Sequence, residues 1–170
     1  VHIQTISAEN VVQAVIARTA DLGLASWPLD NPGLEIHAHG GAMFVAVGAS
    51  DHPLAQHRSI DVADLPDQRL ITAPNPYRLR MQIKQALAEQ DVATSVIIDS
   101  NATYVSLALA RQGLGIAIVE PLTTIGLPIE GLSAIPLSFD IAFRWSVITA
   151  VGRPLSPTAE AIIEHIQGIS

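Results

Sequence analysis

The residues with most chemical potential lie at two predicted helix starts, Thr72-Ala-Pro-Asn-Pro-Tyr77 and Ser100-Asn-Ala-Thr103. The first backbone N–H groups of a helix have no intrahelical acceptor, and that end of the macrodipole is positive. Such an end is a ready site for a carboxylate or another small anion. Asn75 reads as an N-cap with Pro76 as the first helical residue, and Asn101 or Ser100 reads as the cap of the second helix. Hydroxyls from Thr72, Ser100 and Thr103 can add oriented hydrogen bonds, and Tyr77 belongs to the same stretch as Asn75. Arg78 falls in the first turn, where a cation opposes the dipole. A bound anion relieves that opposition and can take a bidentate grip from the guanidinium. The competing reading is that the Ser, Thr and Asn residues only cap their helices and that Arg78 faces solvent.

Other chemistries find less support. His37 and His39 are two apart on a predicted strand and share a face, but no third metal ligand accompanies them. The remaining histidines read as surface residues, and Trp27 and Trp145 as packing residues. There is no Gly-x-Ser-x-Gly elbow, His-Glu-x-x-His pair or Walker loop. Asp99 is a single carboxylate, which is weak evidence for acid–base work. Neither an enzyme nor a bound cofactor or metal is therefore expected.

The elements that must position these residues follow from the pattern. The 170 residues suffice for one domain or two small lobes. Aromatic residues make up only 4%, so aliphatic side chains must fill the core. The net charge of −7 gives no electrostatic footprint for nucleic acid. There is no cysteine, which suits a cytosolic origin, and no apolar run of membrane-spanning length. The first residue is Val1, not methionine, so the chain is expected to be a piece whose start lies upstream.

Residues 1–7 alternate apolar and polar as a strand does, with Thr5 and Ser7 at its end. A helix is predicted over 8–20 and a short buried strand over 21–25. Breakers mark a loop over 27–33. Strands follow over 34–39 and 42–48, with Gly40-Gly41 as a bend between them. A strand over 69–72 leads to the helix opened by Asn75, with Leu79, Ile83, Ala86 and Leu87 on its apolar side. A strand over 94–99 leads to the second helix, with a stripe of Val105, Ala108 and Leu109. Gly113 stops that helix in a left-handed conformation. Ile116-Ala-Ile-Val119 then reads as a strand covered on both faces. A loop over 121–131, strands over 132–137 and 142–150 and a helix over 156–167 complete the chain. The alternation argues for parallel sheets with helices on their faces, an α/β class. Ligands of such sheets sit in the crevice beyond the carboxyl ends of the strands.

Four stretches in register carry a family resemblance: Ala20-Asp-Leu-Gly-Leu-Ala25, Asp51-His-Pro-Leu-Ala55, Gly113-Leu-Gly-Ile-Ala117 and Arg153-Pro-Leu-Ser-Pro157. Over nearly its whole length the chain resembles the effector-binding domain of a LysR-type transcriptional regulator. The resemblance implies two Rossmann-like lobes joined by two crossing strands, as in type 2 periplasmic binding proteins. Lobe I would hold residues 1–44 and 147–170 and lobe II residues 45–146, with crossing strands near 43–48 and 145–150. A small-molecule effector, an organic or amino acid, would sit between the lobes. It would meet Thr72, Asn75, Tyr77, Arg78, Ser100, Asn101 and Thr103 from lobe II and Thr5 and Ser7 from lobe I. DNA would be contacted only by a winged helix-turn-helix upstream of this chain, in a cytoplasmic homo-oligomer, a dimer or tetramer, with no membrane partner. The family's domain normally starts with one more strand and helix than this chain has. The alternative is a solute-binding protein of a transport system with the same fold.

Overall fold

The computed structural model describes residues 1–26, 29, 31–66, 68–73, 79–89 and 96–168. In chain order the first elements are α1 (Ala8–Ile16), β1 (Gly23–Ser26), β2 (Leu34–Met43), β3 (Val45–Ala49), β4 (Arg69–Thr72) and α2 (Leu79–Glu89). Then come β5 (Val96–Asp99), α3 (Thr103–Arg111), β6 (Ile116–Val119), α4 (Pro121–Gly126), β7 (Leu132–Pro136), β8 (Ala142–Ala150) and α5 (Pro157–Gln167). The chain folds as two units, Val1–Gly41 with Phe143–Ser170, and Ala42–Ala142. These crossings, at 41/42 and 142/143, lie a few residues before the 44/45 and 146/147 boundaries expected from the sequence.

The first unit carries a three-stranded sheet in the order β1-β8-β2, with β1 antiparallel to β8. Val15 of α1 packs with Ala25, Ile148 and Ala150, and Ile163 of α5 packs with Ala38 and Val147. Residues 1–7 form no strand, contrary to the alternation of their sequence. Val1 and Ile3 are almost fully exposed, and no described strand pairs with the segment. Alternation specifies a face, but a strand also needs a neighbour to take its backbone hydrogen bonds. The expected bend at Gly40-Gly41 is also absent, because β2 runs straight through both glycines. The Trp145 ring lies over Gly40, where a Cβ would come within 2.5 Å of it. Glycine here makes room for an indole and breaks nothing. The first helix ends at Ile16, short of the predicted 20, because Arg18 turns left-handed (φ 59°).

The second unit carries a five-stranded sheet in the order β5-β4-β6-β3-β7. Strands β5, β4 and β6 are parallel, whereas β3 is antiparallel to both β6 and β7. The expected parallel arrangement therefore holds for only part of this sheet. An antiparallel pair needs no crossover helix, and period-2 or apolar runs do not reveal direction. Helices α2 and α3 cover opposite faces. Leu79, Ile83 and Leu87 pack on Leu70, Ala46 and Ile116, while Leu107 and Ala110 pack on Ile71, Val47 and Ala117. Successive strand residues point to opposite faces, so this division follows directly. On α3 the buried residues are Ser106, Leu107 and Ala110, not the predicted stripe, of which Ala108 is exposed. The predicted loop after Val119 contains α4, with Glu120 as its cap and Pro121 at its first position. Gly113 is left-handed as expected (φ 69°). Among the described residues no helix is long and apolar enough to cross a membrane.

Candidate functional site

The divergence of α2 and α3 creates the site. Helix α2, which follows β4 in the chain, covers one face of the sheet, and α3, which follows β5, covers the other. Between the carboxyl ends of these two adjacent parallel strands lies a topological switch point, where open α/β sheets bind ligands. Thr72 ends β4 level with Asp99, which ends β5. The Ser100 N–H donates to the Thr72 carbonyl at 2.9 Å and ties the two strand ends together.

Three predicted residues, Thr72, Ser100 and Thr103, are gathered here, with Asn101 beside them. Their roles differ from those predicted. The N-cap of α3 is Ala102, which has no side chain to offer the helix. Ser100 is occupied locally: its Oγ donates to the Ala102 carbonyl at 3.0 Å and accepts from the Ala102 N–H at 3.4 Å. Asn101 is exposed and caps nothing. The N–H groups of Val105 and Ser106 both reach the Ala102 carbonyl. Those of Thr103 and Tyr104 are left with no intrahelical acceptor and no side-chain cap. They form the donor end of a nine-residue helix.

Thr72 supplies the second feature. It is only 2% exposed, yet its Oγ1 has no hydrogen-bond partner. A buried hydroxyl left unpaired costs about 1–3 kcal/mol, so native structures seldom retain one without a use. The donors free at the start of α3 are therefore the amides of Thr103 and Tyr104. They can bind an oxyanion by hydrogen bonds without a formal ion pair.

The other predicted residues belong to the first unit or lie outside the described residues. Asn75, Tyr77 and Arg78 lie outside the described residues. Thr5 is exposed in the irregular first segment. Ser7 caps α1, accepting from the Asn10 N–H at 3.3 Å. His37 is engaged structurally, its Nε2 lying 2.7 Å from Thr149 Oγ1. Among the described residues no group of three metal-binding side chains comes together. Sequence reasoning missed Ala102 and the exposed Tyr104 two residues on. The spacing of Leu107 and Ala110 could have placed the helix start two residues later than the polar residues suggested.

Two of the four resembling stretches also meet. Arg153 pairs through Nη2 with Asp21, and Ser156 caps α5 by accepting from the Ala159 N–H at 3.2 Å. This contact fastens the start of α5 to the turn before β1.

Comparison with known proteins agrees with the fold. Residues 1–169 match the family model described as LysR substrate binding domain. The chain is 28% identical over 123 residues to the transcriptional activator protein LysR of Escherichia coli (strain K12), covering 72% of this chain and 40% of that protein. It spans about half the length of the curated relatives it matches. Among solved structures it resembles the CcmR regulatory domain of Synechocystis PCC6803 in complex with 2-PG. That match has a TM-score of 0.73 and 19% identity, and covers 96% of this chain and 79% of that one. It also resembles the effector binding domain of QuiR in complex with shikimate, with a TM-score of 0.69, 18% identity and coverage of 94% and 76%. The matched relatives are named as transcriptional regulators, which disfavours the transport alternative. Two α/β units, a switch point rimmed by free amides and a family model matched from end to end lead to one assignment: the chain belongs to the LysR substrate binding domain family.

Proposed function

We propose that this chain is the effector-sensing part of a LysR-type transcriptional regulator, and that its effector is a small metabolite bearing a carboxylate. The observation that carries the carboxylate is the uncapped start of α3, where Ala102 stands in place of a capping side chain. The amides of Thr103 and Tyr104 receive the carboxylate, and the helix dipole favours its charge. The ligands named for the CcmR and QuiR domains support a small-molecule effector. The two folded units are read as the two lobes, and Thr5 and Ser7 as the first unit's contribution. Asn75, Tyr77 and Arg78 are read as further effector contacts. DNA is contacted by a winged helix-turn-helix outside these residues, in a cytoplasmic homo-oligomer. The effector acts by binding one conformational state of the regulator more tightly than another.

The test is isothermal titration calorimetry with a panel of small organic acids, each paired with its neutral amide. Acids are expected to bind about tenfold or more tightly than their amides, since charge-assisted hydrogen bonds are roughly twice as strong as neutral ones. Ala102→Asp places a carboxylate on the free amides and should abolish the acid's binding. Equal binding of acid and amide, or unchanged binding in the variant, contradicts the proposal.

A further inference from the structure

Two strands carry the chain between its units, β2 at 41/42 and β8 at 142/143. On the second unit's side both are fastened. The Phe44 N–H donates to the Ile141 carbonyl at 2.9 Å. Ile141 is buried in the cluster around Leu70, and Phe44 packs against that cluster. On the first unit's side they are fastened again. The Trp145 ring covers Gly40, close enough that a Cβ there would come within 2.5 Å of the indole. The same ring packs against the cluster of Ala38, Val147 and Ile163. Between these two fixed points lie Gly41, Ala42 and Met43 on β2 and Ala142, Phe143 and Arg144 on β8. None of these residues is buried, and none is part of a core cluster.

We infer that residues 41–43 and 142–144 form the joint about which the two units move, and that Trp145, seated on Gly40, sets where the joint ends. Segments with few buried contacts open at lower free energy than packed ones. Hinges are a few element-terminal residues that absorb the change in backbone angles. Met43 ends β2 and Ala142 begins β8. Gly41 has no Cβ to restrict its rotation. Bending that spread further into the first unit would lift the indole off Gly40 and return apolar surface to water, which opposes it. The joint does not depend on which molecule the chain binds.

Amide hydrogen exchange, followed by NMR on the ligand-free chain, tests the joint. Amides of 41–43 and 142–144 should exchange about tenfold or more faster than those of 37–39 and 146–148. Trp145→Ala should extend fast exchange back into 37–40. Gly40→Ala, which displaces the indole without removing it, should do the same, and Trp145→Phe should do so less. The chain has no cysteine, so spin labels can be attached at Lys84→Cys in α2 and Glu164→Cys in α5, one in each unit. The distribution of label-to-label distances should broaden in Trp145→Ala and Gly40→Ala. Unchanged exchange in the core amides of β4 and β6 would show that each variant folds. If either variant unfolds, the wild-type exchange pattern and Trp145→Phe still decide. Protection of 41–43 and 142–144 equal to that of their flanks would overturn the joint. An unchanged distance distribution and unchanged exchange at 37–40 in the folded variants would overturn the role of Trp145.

Discussion

Thr72 keeps a buried hydroxyl that no partner satisfies. Valine has nearly the same shape and would bury a methyl group where an unpaired hydroxyl now stands. Thr72→Val should therefore stabilise the ligand-free protein by about 1 kcal/mol, as measured by urea unfolding, since relieving an unpaired buried polar group recovers part of its desolvation cost. Thr72, Ser100 and Thr103 were legible in the sequence as a polar group near strand and helix ends. What the sequence could not supply was their division of labour. Ser100 and Asn101 have the right chemistry for a cap, but capping depends on which residue holds the extended backbone just before the helix. That residue is Ala102 (φ −126°, ψ 115°).

At the scale of elements, the ends and inserts decide more than the middles. Filling the vacant cap of α3 with Ala102→Asp should raise stability by about 1 kcal/mol, the usual difference between aspartate and alanine at an N-cap. Thermal unfolding would read this, and the same variant should lose acid binding. Gly40→Ala tests the straight course of β2 past Trp145. With the added Cβ only 2.5 Å from the indole, the variant should lose about 1–3 kcal/mol, the usual cost of overpacking. A third test concerns the single helical turn over Val62–Asp64. Ser138 donates to Asp61 at 2.6 Å, and the Ala63 N–H adds a second bond. These bonds hold the Asp61 carboxyl below its usual value of 3.8. A lowered native pKa contributes stability above the unfolded value and loses it as pH falls. The stability difference between wild type and Ser138→Ala should therefore be level above about pH 5 and shrink below about pH 4. A difference that stayed constant with pH would place the effect elsewhere. Strand β4, strand β8 and helix α5 were legible because their apolar patterns are long or bounded by breakers. The first segment was misread because a lone strand pattern says nothing about a partner.

At the scale of the molecule, each unit has its own core. The two clusters around Leu70 and Ile71 lie within 42–142, and those around Val15 and Ile163 lie outside that range. Because 42–142 is one continuous segment, it should fold alone with a cooperative thermal transition, and it contains the whole of the candidate anion site. A non-cooperative melt of that segment would show that its core does not suffice. The α/β class was readable from alternating apolar periods, and the two units from a family resemblance. The mixed direction of the five-stranded sheet was not, because direction is fixed by connections and not by residue pattern.

The central claim is that a small acid binds at the start of α3. Backbone amide chemical shifts followed during titration with the tightest-binding acid of the panel test it most directly. The amides of Thr103 and Tyr104 should move most. Saturable binding that leaves those amides unmoved and shifts another part of the chain would contradict it.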